Sequence, residues 1–292
     1  MMASEYLQHP QIDPIIFSLG PLDLRWYGLM YLLGAVFAYI YGTKRAKRDP
    51  NWTPEAWQDL LFWAFLALVI GGRVGYVLFY QFPVFISNPL YLFDMKSGGM
   101  SFHGGLLGVI VALALYARKL GLSVWQVGDF VAPLVPVGLG LGRIGNFING
   151  ELWGRVTEQP WGMVFAHAGP LPRHPSQLYQ AFGEGLLLFA LLWWFSRKPR
   201  PTGAVGGLFV VGYGVARFTV EFFREPDAHL GLLGVFSMGQ WLSALMIIAG
   251  AVIMFLSYKH GGLGANGRLP AIANSKNSQS AAPSKRNKKN KG

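Results

Sequence analysis

Residues 138–154 read GLGLGRIGNFINGELWG, and the character of the whole chain is legible from them. The stretch opens as an apolar helix of glycine and leucine, then delivers Arg143, Asn146, Asn149 and Glu151 where the apolar run ends. On a helix, Arg143, Asn146 and Gly150 share one face at i, i+3 and i+7. Gly138, Gly142, Gly145 and Asn149 line a second face, the small-residue pattern that lets helices approach closely in a bilayer. A guanidinium inside hydrocarbon costs about 2.5–3.5 kcal/mol on insertion scales, so Arg143 requires a partner or a ligand. The ligand that suits it is the anionic part of a lipid.

The composition agrees with a bilayer setting. Of 292 residues, 52% are hydrophobic and only 13% charged, and the mean hydropathy is positive at +0.33. Such a chain reads as an all-α polytopic membrane protein. It contains no cysteine, which excludes disulfides, thiolate metal sites and a thiol nucleophile of its own. Any sulfur chemistry must therefore use a thiol on the substrate.

Seven apolar runs can be marked, at about 26–41, 57–80, 100–117, 127–148, 177–195, 206–223 and 236–258. Each is near the roughly 20 residues that cross the hydrocarbon core, the first being the shortest. The formal charge of +11 is a topology signal and not a nucleic-acid patch, because most basic residues gather in four places. These are Lys44 to Arg48, Arg118 with Lys119, Arg197 to Arg200, and the tail from Lys259. They follow the first, third, fifth and seventh runs, so the positive-inside rule puts the N-terminus outside and the C-terminus in the cytoplasm. Residues 1–24 are polar and proline-containing, with no removable signal peptide expected. Residues 1–260 read as one membrane domain with a small outer cap at about 150–176. Residues 261–292 read as a disordered, basic cytoplasmic tail. The aromatic, proline-bearing loop 81–96 is expected to lie in the membrane interface.

Polar residues within the runs crowd toward the outer side. Tyr213, Arg217, Glu221 and Arg224 form one stripe; Arg73, Tyr76 and Tyr80 form another, and Gln177, Ala181 and Glu184 a third. Lipid would satisfy none of them, so they should face one another or a polar chamber open to the outside. Each residue also has a plainer reading. Arg143 can snorkel or bridge to a glutamate, and Arg217 and Glu221, one turn apart, can neutralise one another. Arg73 and Glu184 suit supporting roles. His103, in SFHGGLLG, is either a satisfied buried histidine or a working one beside an open glycine surface. Gly140, Gly142 and Gly145 match G-x-G-x-x-G, but without a preceding strand that match carries no dinucleotide site.

The segment 142–151, GRIGNFINGE, resembles the signature of the bacterial prolipoprotein diacylglyceryl transferases. The resemblance extends to WYGL at 26–29, SFHGG at 101–105, RHPSQLY at 173–179, GYG at 212–214, Arg217, and EFFREPD at 221–227. It implies transfer of the diacylglyceryl group of phosphatidylglycerol to the lipobox cysteine of a preprolipoprotein, releasing glycerol 1-phosphate. It implies that Arg143 and Arg217 hold the phosphate, with Asn146, Tyr213 and the backbone around Gly154 shaping the same pocket. Glu151 and Glu221 would orient the arginines, Tyr27 would complete the pocket, and His103 would take the thiol proton. It implies no metal and no cofactor. The expected partners are phosphatidylglycerol, signal peptides and the bilayer, and the expected location is the inner membrane with the site facing the periplasm. The competing reading is a carrier or channel for a small anion. It lacks the paired halves or broken midplane helices that such proteins show.

Overall fold

The computed structural model describes residues 6–20, 22–94, 98–225, 232–233 and 236–263. Ten helices dominate these residues: α1 (Trp26–Ala46), α2 (Pro54–Tyr80), α3 (Phe82–Ser87), α4 (Phe102–Leu120), α5 (Val124–Val131), α6 (Val135–Ile148), α7 (Ser176–Gln180), α8 (Leu188–Phe195), α9 (Ala204–Glu221) and α10 (Met238–Lys259). A 3-10 turn at Ala132–Leu134 joins α5 to α6, so Val124–Ile148 runs as one rod past Pro133 and Pro136. A π-helical stretch, Ala181–Leu187, joins α7 to α8 in the same way across Ser176–Phe195.

The ends of these helices follow from side chains that satisfy the free amides of a first turn. Thr53 accepts from Ala56 N at the start of α2, and Ser101 accepts from Gly104 N at the start of α4. Ser123 with Gln126, and Ser237 with Gln240, form capping boxes at the starts of α5 and α10. Gly121 ends α4 at φ 68°, a left-handed conformation that glycine adopts without a Cβ clash.

Among the described residues, six helical rods are long and apolar enough to cross a membrane: Pro54–Tyr80, Phe102–Leu120, Val124–Ile148, Ser176–Phe195, Ala204–Glu221 and Met238–Lys259. The first of the seven expected runs is not among them. It is the 21-residue α1, where Trp26, Tyr27, Tyr31, Tyr39 and Tyr41 dilute the apolar character. Its outward side chains Leu32, Leu33, Val36 and Ile40 are nonetheless exposed, as on the other rods.

Close backbone approach pairs the rods. α2 lies on α4 where a Cβ on Gly75 would sit 2.8 Å from Gly104 Cα, and α6 lies on the π stretch where a Cβ on Gly140 would sit 3.0 Å from Gly185 Cα. The glycine face expected on 138–154 is used against α1, with Gly34 beside Gly138 and Tyr27 beside Gly145, whereas Gly142 meets nothing. At the end of the bundle holding the C-termini of α1 and α4, the indole and phenyl rings of Trp52, Trp57 and Phe130 pack with Leu60, Tyr116 and Val127.

The opposite end carries the polar residues and a small cap. Residues 149–175 form much of it, including β4 (Met163–Val164). The N-terminal segment, read from the sequence only as a polar lead, is part of this cap: β1 (Leu7–Gln8) pairs in parallel with β4. His9 Nε2 donates to Phe147 O at 2.6 Å, and its ring stacks on Phe165 at 4.9 Å. A hairpin of β2 (Ile15–Leu19) and β3 (Leu22–Arg25) then leads into α1. The loop expected in the interface holds α3 and a 3-10 turn at Pro89–Phe93, with Phe82, Ile86, Leu90 and Phe93 exposed. The tail from residue 264 lies outside the described residues.

Candidate active site

Arg143 stands on α6, five residues before its end, and Arg217 on α9, four residues before Glu221. The two guanidiniums converge on one carboxylate. Arg143 Nε lies 3.7 Å from Glu184 Oε2 and Arg217 Nη1 lies 3.8 Å from Glu184 Oε1. Glu184 has no exposed side-chain surface, while Arg143 and Arg217 keep 24% and 16%. Glu184 lies in the π stretch and is buried with Gln177 and Gln180 of α7. A regular helix would also place Glu184 on the face of Gln177, at i+7; the structure adds buried Gln180 to the expected stripe, and Ala181 is half-buried with its carbonyl near Gly140.

A second carboxylate completes the pairing. Glu221 Oε2 lies 3.1 Å from Arg217 Nη2, and Glu221 Oε1 lies 3.4 Å from Arg224 Nη1. Glu184 and Glu221 thus each serve two guanidiniums. Burying these ions is tolerable only because every charge has an opposite one beside it. The matching is imperfect: neither Glu184 oxygen accepts a hydrogen bond, and Arg217 Nη1 is buried without a hydrogen-bonding acceptor. A planar, permanently charged donor left in that state is suited to an arriving oxyanion.

On the cap side, Arg143 Nη1 donates to Asn146 Oδ1 at 3.5 Å, and Asn146 Nδ2 donates to Glu151 Oε1 at 2.9 Å. Asn149 Nδ2 donates to the same oxygen at 3.2 Å, and Gln177 Nε2 donates to Glu151 O at 2.6 Å. Glu151 therefore acts on Arg143 through Asn146 and not by direct ion pairing. Gly154 binds the cap to itself, its N–H donating to His174 O at 2.9 Å and its carbonyl accepting from Arg173 Nη1 at 3.1 Å. The next residue ties the cap to the end of α9, Arg155 N donating to Phe223 O at 2.9 Å. Burial holds His174 below the usual imidazole range, and its Nδ1 lies 3.1 Å from Tyr179 OH.

Tyr27 touches α6 at Gly145 and shares a hydrogen bond with Tyr31 OH at 3.1 Å. Tyr213 is in electrostatic reach of Glu184, Arg217 and Arg143. His103 stands apart. It is exposed in the first turn of α4, and its ring meets Phe102 edge-on at 5.7 Å, with no described contact to the arginines. Arg73 also serves elsewhere: buried, it donates to the carbonyls of Tyr91, Leu92, Asp94 and Gly98 at 2.5–3.1 Å and so fastens the segment that follows α3. Sequence reasoning missed Ser237, which donates to Glu221 Oε1 at 3.1 Å, and Tyr31. The S-x-x-Q spacing at 237–240 marks a helix start, which locates Ser237 without revealing its distant partner.

Two hollows, each of about 180 Å³, lie on these elements, and none of Arg143, Arg217, Glu184 and Glu221 lines either. One is apolar, between α6 and the 181–189 stretch, lined by Leu141, Ile144, Leu186 and Phe189 among others. The other lies under the cap, lined by His9, Asn149, Gly150 and His167 among others. No group of three or more His, Asp and Glu among the described residues is arranged to hold a metal ion.

Comparison with known proteins matches residues 14–256 to the family described as prolipoprotein diacylglyceryl transferase. The phosphatidylglycerol–prolipoprotein diacylglyceryl transferase of Idiomarina loihiensis is 63% identical over 261 residues, covering 89% of this chain and 98% of that protein. The enzyme of the same name from Pseudoalteromonas atlantica is 63% identical over 258 residues, covering 87% and 92%. That from Vibrio vulnificus is 61% identical over 262 residues, covering 89% and 97%.

Proposed function

The chain belongs to the prolipoprotein diacylglyceryl transferase family, and we propose on that premise how its residues carry out the family's reaction. The protein transfers the diacylglyceryl group of phosphatidylglycerol to the lipobox cysteine thiol of a preprolipoprotein, the first step of lipoprotein maturation. The thiolate attacks the glyceryl carbon that bears the phosphate. A carbon–sulfur bond forms, the carbon–oxygen bond breaks, and its electron pair leaves on the phosphate of sn-glycerol 1-phosphate.

The observation that carries this reading is the convergence of Arg143 and Arg217 on Glu184 from separate helices. Negative charge on the phosphate grows as the carbon–oxygen bond breaks, and guanidiniums already in place stabilise it without reorganisation. Arg143 and Arg217 bind the phosphate, exchanging their long contacts with Glu184 for shorter ones with its oxygens. Asn146 and Glu151 hold Arg143, Glu221 holds Arg217, Gly154 closes the cap over them, and Tyr27 and Tyr213 flank the pocket. The apolar hollow beside Ile144 suits an acyl chain of the donor lipid. His103 is the group assigned to the thiol, whose ordinary pKa near ~8.5 calls for a base. Its exposed position requires the peptide to approach from the α4 side. The fold is read as seven spans, α1 included, in the inner membrane with the N-terminus outside and the site toward the periplasm.

The test uses purified protein in detergent, phosphatidylglycerol and a peptide with a single lipobox cysteine, followed by mass spectrometry. One added diacylglyceryl group on that cysteine, with glycerol phosphate released in equal amount, is expected. An unmodified peptide from folded protein would redirect the arginine cluster to anion transport.

A further inference from the structure

Glu221 is seated by an element that the family signature does not touch. Its carboxylate lies on the first turn of α10, where a Cβ on Gly239 would stand 2.8 Å from Oε1 and 2.9 Å from Cδ. Ser237, buried at the N-cap of that helix, donates its hydroxyl proton to Glu221 Oε1 at 3.1 Å. The Ser237 hydroxyl oxygen in turn accepts from Gln240 N at 3.2 Å, while Ser237 N donates to Gln240 Oε1 at 3.0 Å. A hydroxyl has one proton and two lone pairs, so both contacts are made at once. The first turn of a 22-residue helix also favours a negative charge through its free amides and its dipole.

We infer that Ser237 and Gly239 are positioning residues for the phosphate-binding arginine: the Ser237 hydroxyl and the absent side chain at 239 seat Glu221, and Glu221 presents Arg217. Oε1 is held by Ser237 and Arg224, which leaves Oε2 directed to Arg217 Nη2 at 3.1 Å. A swing of Glu221 away from α10 would release Arg217 toward Glu184 and out of register with Arg143. This inference rests on the phosphate-binding role proposed for Arg217.

A serine at a helix start is ordinarily only a cap, and donor chemistry separates the two roles. Ser237→Asp keeps an acceptor for Gln240 N, as a good N-cap, but has no proton to give Glu221 and repels it. Ser237→Thr keeps both the acceptor and the donor. Gly239→Ala favours the helix, since alanine is the better helix former, while pushing the Glu221 carboxylate aside. Initial rates would be measured for the purified full chain against phosphatidylglycerol at fixed lipobox peptide, with thermal unfolding alongside. Ser237→Asp and Gly239→Ala are expected to raise KM for phosphatidylglycerol about tenfold, leave KM for the peptide unchanged, and unfold near the parent temperature. Ser237→Thr is expected to restore the parent KM. A parent KM for phosphatidylglycerol in both Ser237→Asp and Gly239→Ala overturns the inference; if the aspartate variant does not fold, Gly239→Ala decides alone. Arg217→Ala is run in parallel. Full turnover there would overturn the phosphate-binding reading itself, whereas an inactive Arg217→Ala beside normal Ser237→Asp and Gly239→Ala would overturn only the positioning role.

Discussion

Glu184 is a carboxylate with no exposed surface, held in place by two guanidiniums rather than by hydrogen bonds. Removing it would take from Arg143 the carboxylate it pairs with and leave Arg217 with Glu221 alone, and breaking a buried pair of this kind costs about 3–5 kcal/mol. Glu184→Ala should therefore lower the unfolding midpoint in detergent by several degrees; an unchanged midpoint would show that the two pairs contribute little. Arg143→Ala touches the reaction more than the fold, because Arg143 keeps a quarter of its side chain exposed. Insertion should be normal and kcat should fall by roughly 10²–10³ or more, the scale of losing one preorganised donor. Arg143→Lys should recover little, since an ammonium offers no planar fork to phosphate oxygens. Normal turnover in Arg143→Ala would remove Arg143 from phosphate binding.

Elements matter here through their contacts. α6 can bring Arg143 to Glu184 only because Gly140 and Gly185 let α6 and the π stretch touch backbone to backbone. Gly140→Val should overfill that contact, lowering stability by about 1–3 kcal/mol and activity with it. Parent-like stability and rates would show that the helices can separate without harm. The cap has its own pH signature. Burial holds His174 below its ordinary value of 6.5, so the unfolded chain takes up this proton first as pH falls. The contribution of His174 is then constant above about pH 7 and turns destabilising as pH drops through roughly 6.5. The unfolding midpoint should fall over that window, and His174→Gln should flatten the slope. Equal slopes for the two proteins would assign the acid sensitivity elsewhere.

At the scale of the whole molecule, one end is an aromatic core around Trp52, Trp57 and Phe130, and the other holds the ions beneath the cap. The absence of cysteine makes the proposed orientation directly measurable. A maleimide that does not cross membranes should label Ser18→Cys in intact cells and Lys198→Cys only after permeabilisation; the reverse pattern would invert the topology. All the residues proposed for the site precede residue 240, so truncation after residue 263 should leave turnover nearly unchanged. An inactive truncated protein would give the basic tail a role in the reaction.

The sequence by itself determined the membrane character, the helical rods and the residues able to meet a phosphate. Composition, apolar run length and the cost of charge in hydrocarbon are properties of local sequence. The signature around Arg143 likewise needs no folding to be seen. Tertiary structure alone decided who faces whom. Regular spacing set Glu184 on a polar face with Gln177 but named no partner; it emerged as the shared counter-ion because α6 and α9 both bring an arginine to it. Arg73, set in a long apolar helix like the others, went to the segment after α3, since backbone carbonyls 18–25 residues away accept from it. The N-terminal strand joined the cap through β1 and β4, a pairing across more than 150 residues that no local pattern announces. Ser237 found Glu221 for the same reason: a hydroxyl's second hydrogen bond is set by the helix packed beside it, and packing is a property of the folded chain.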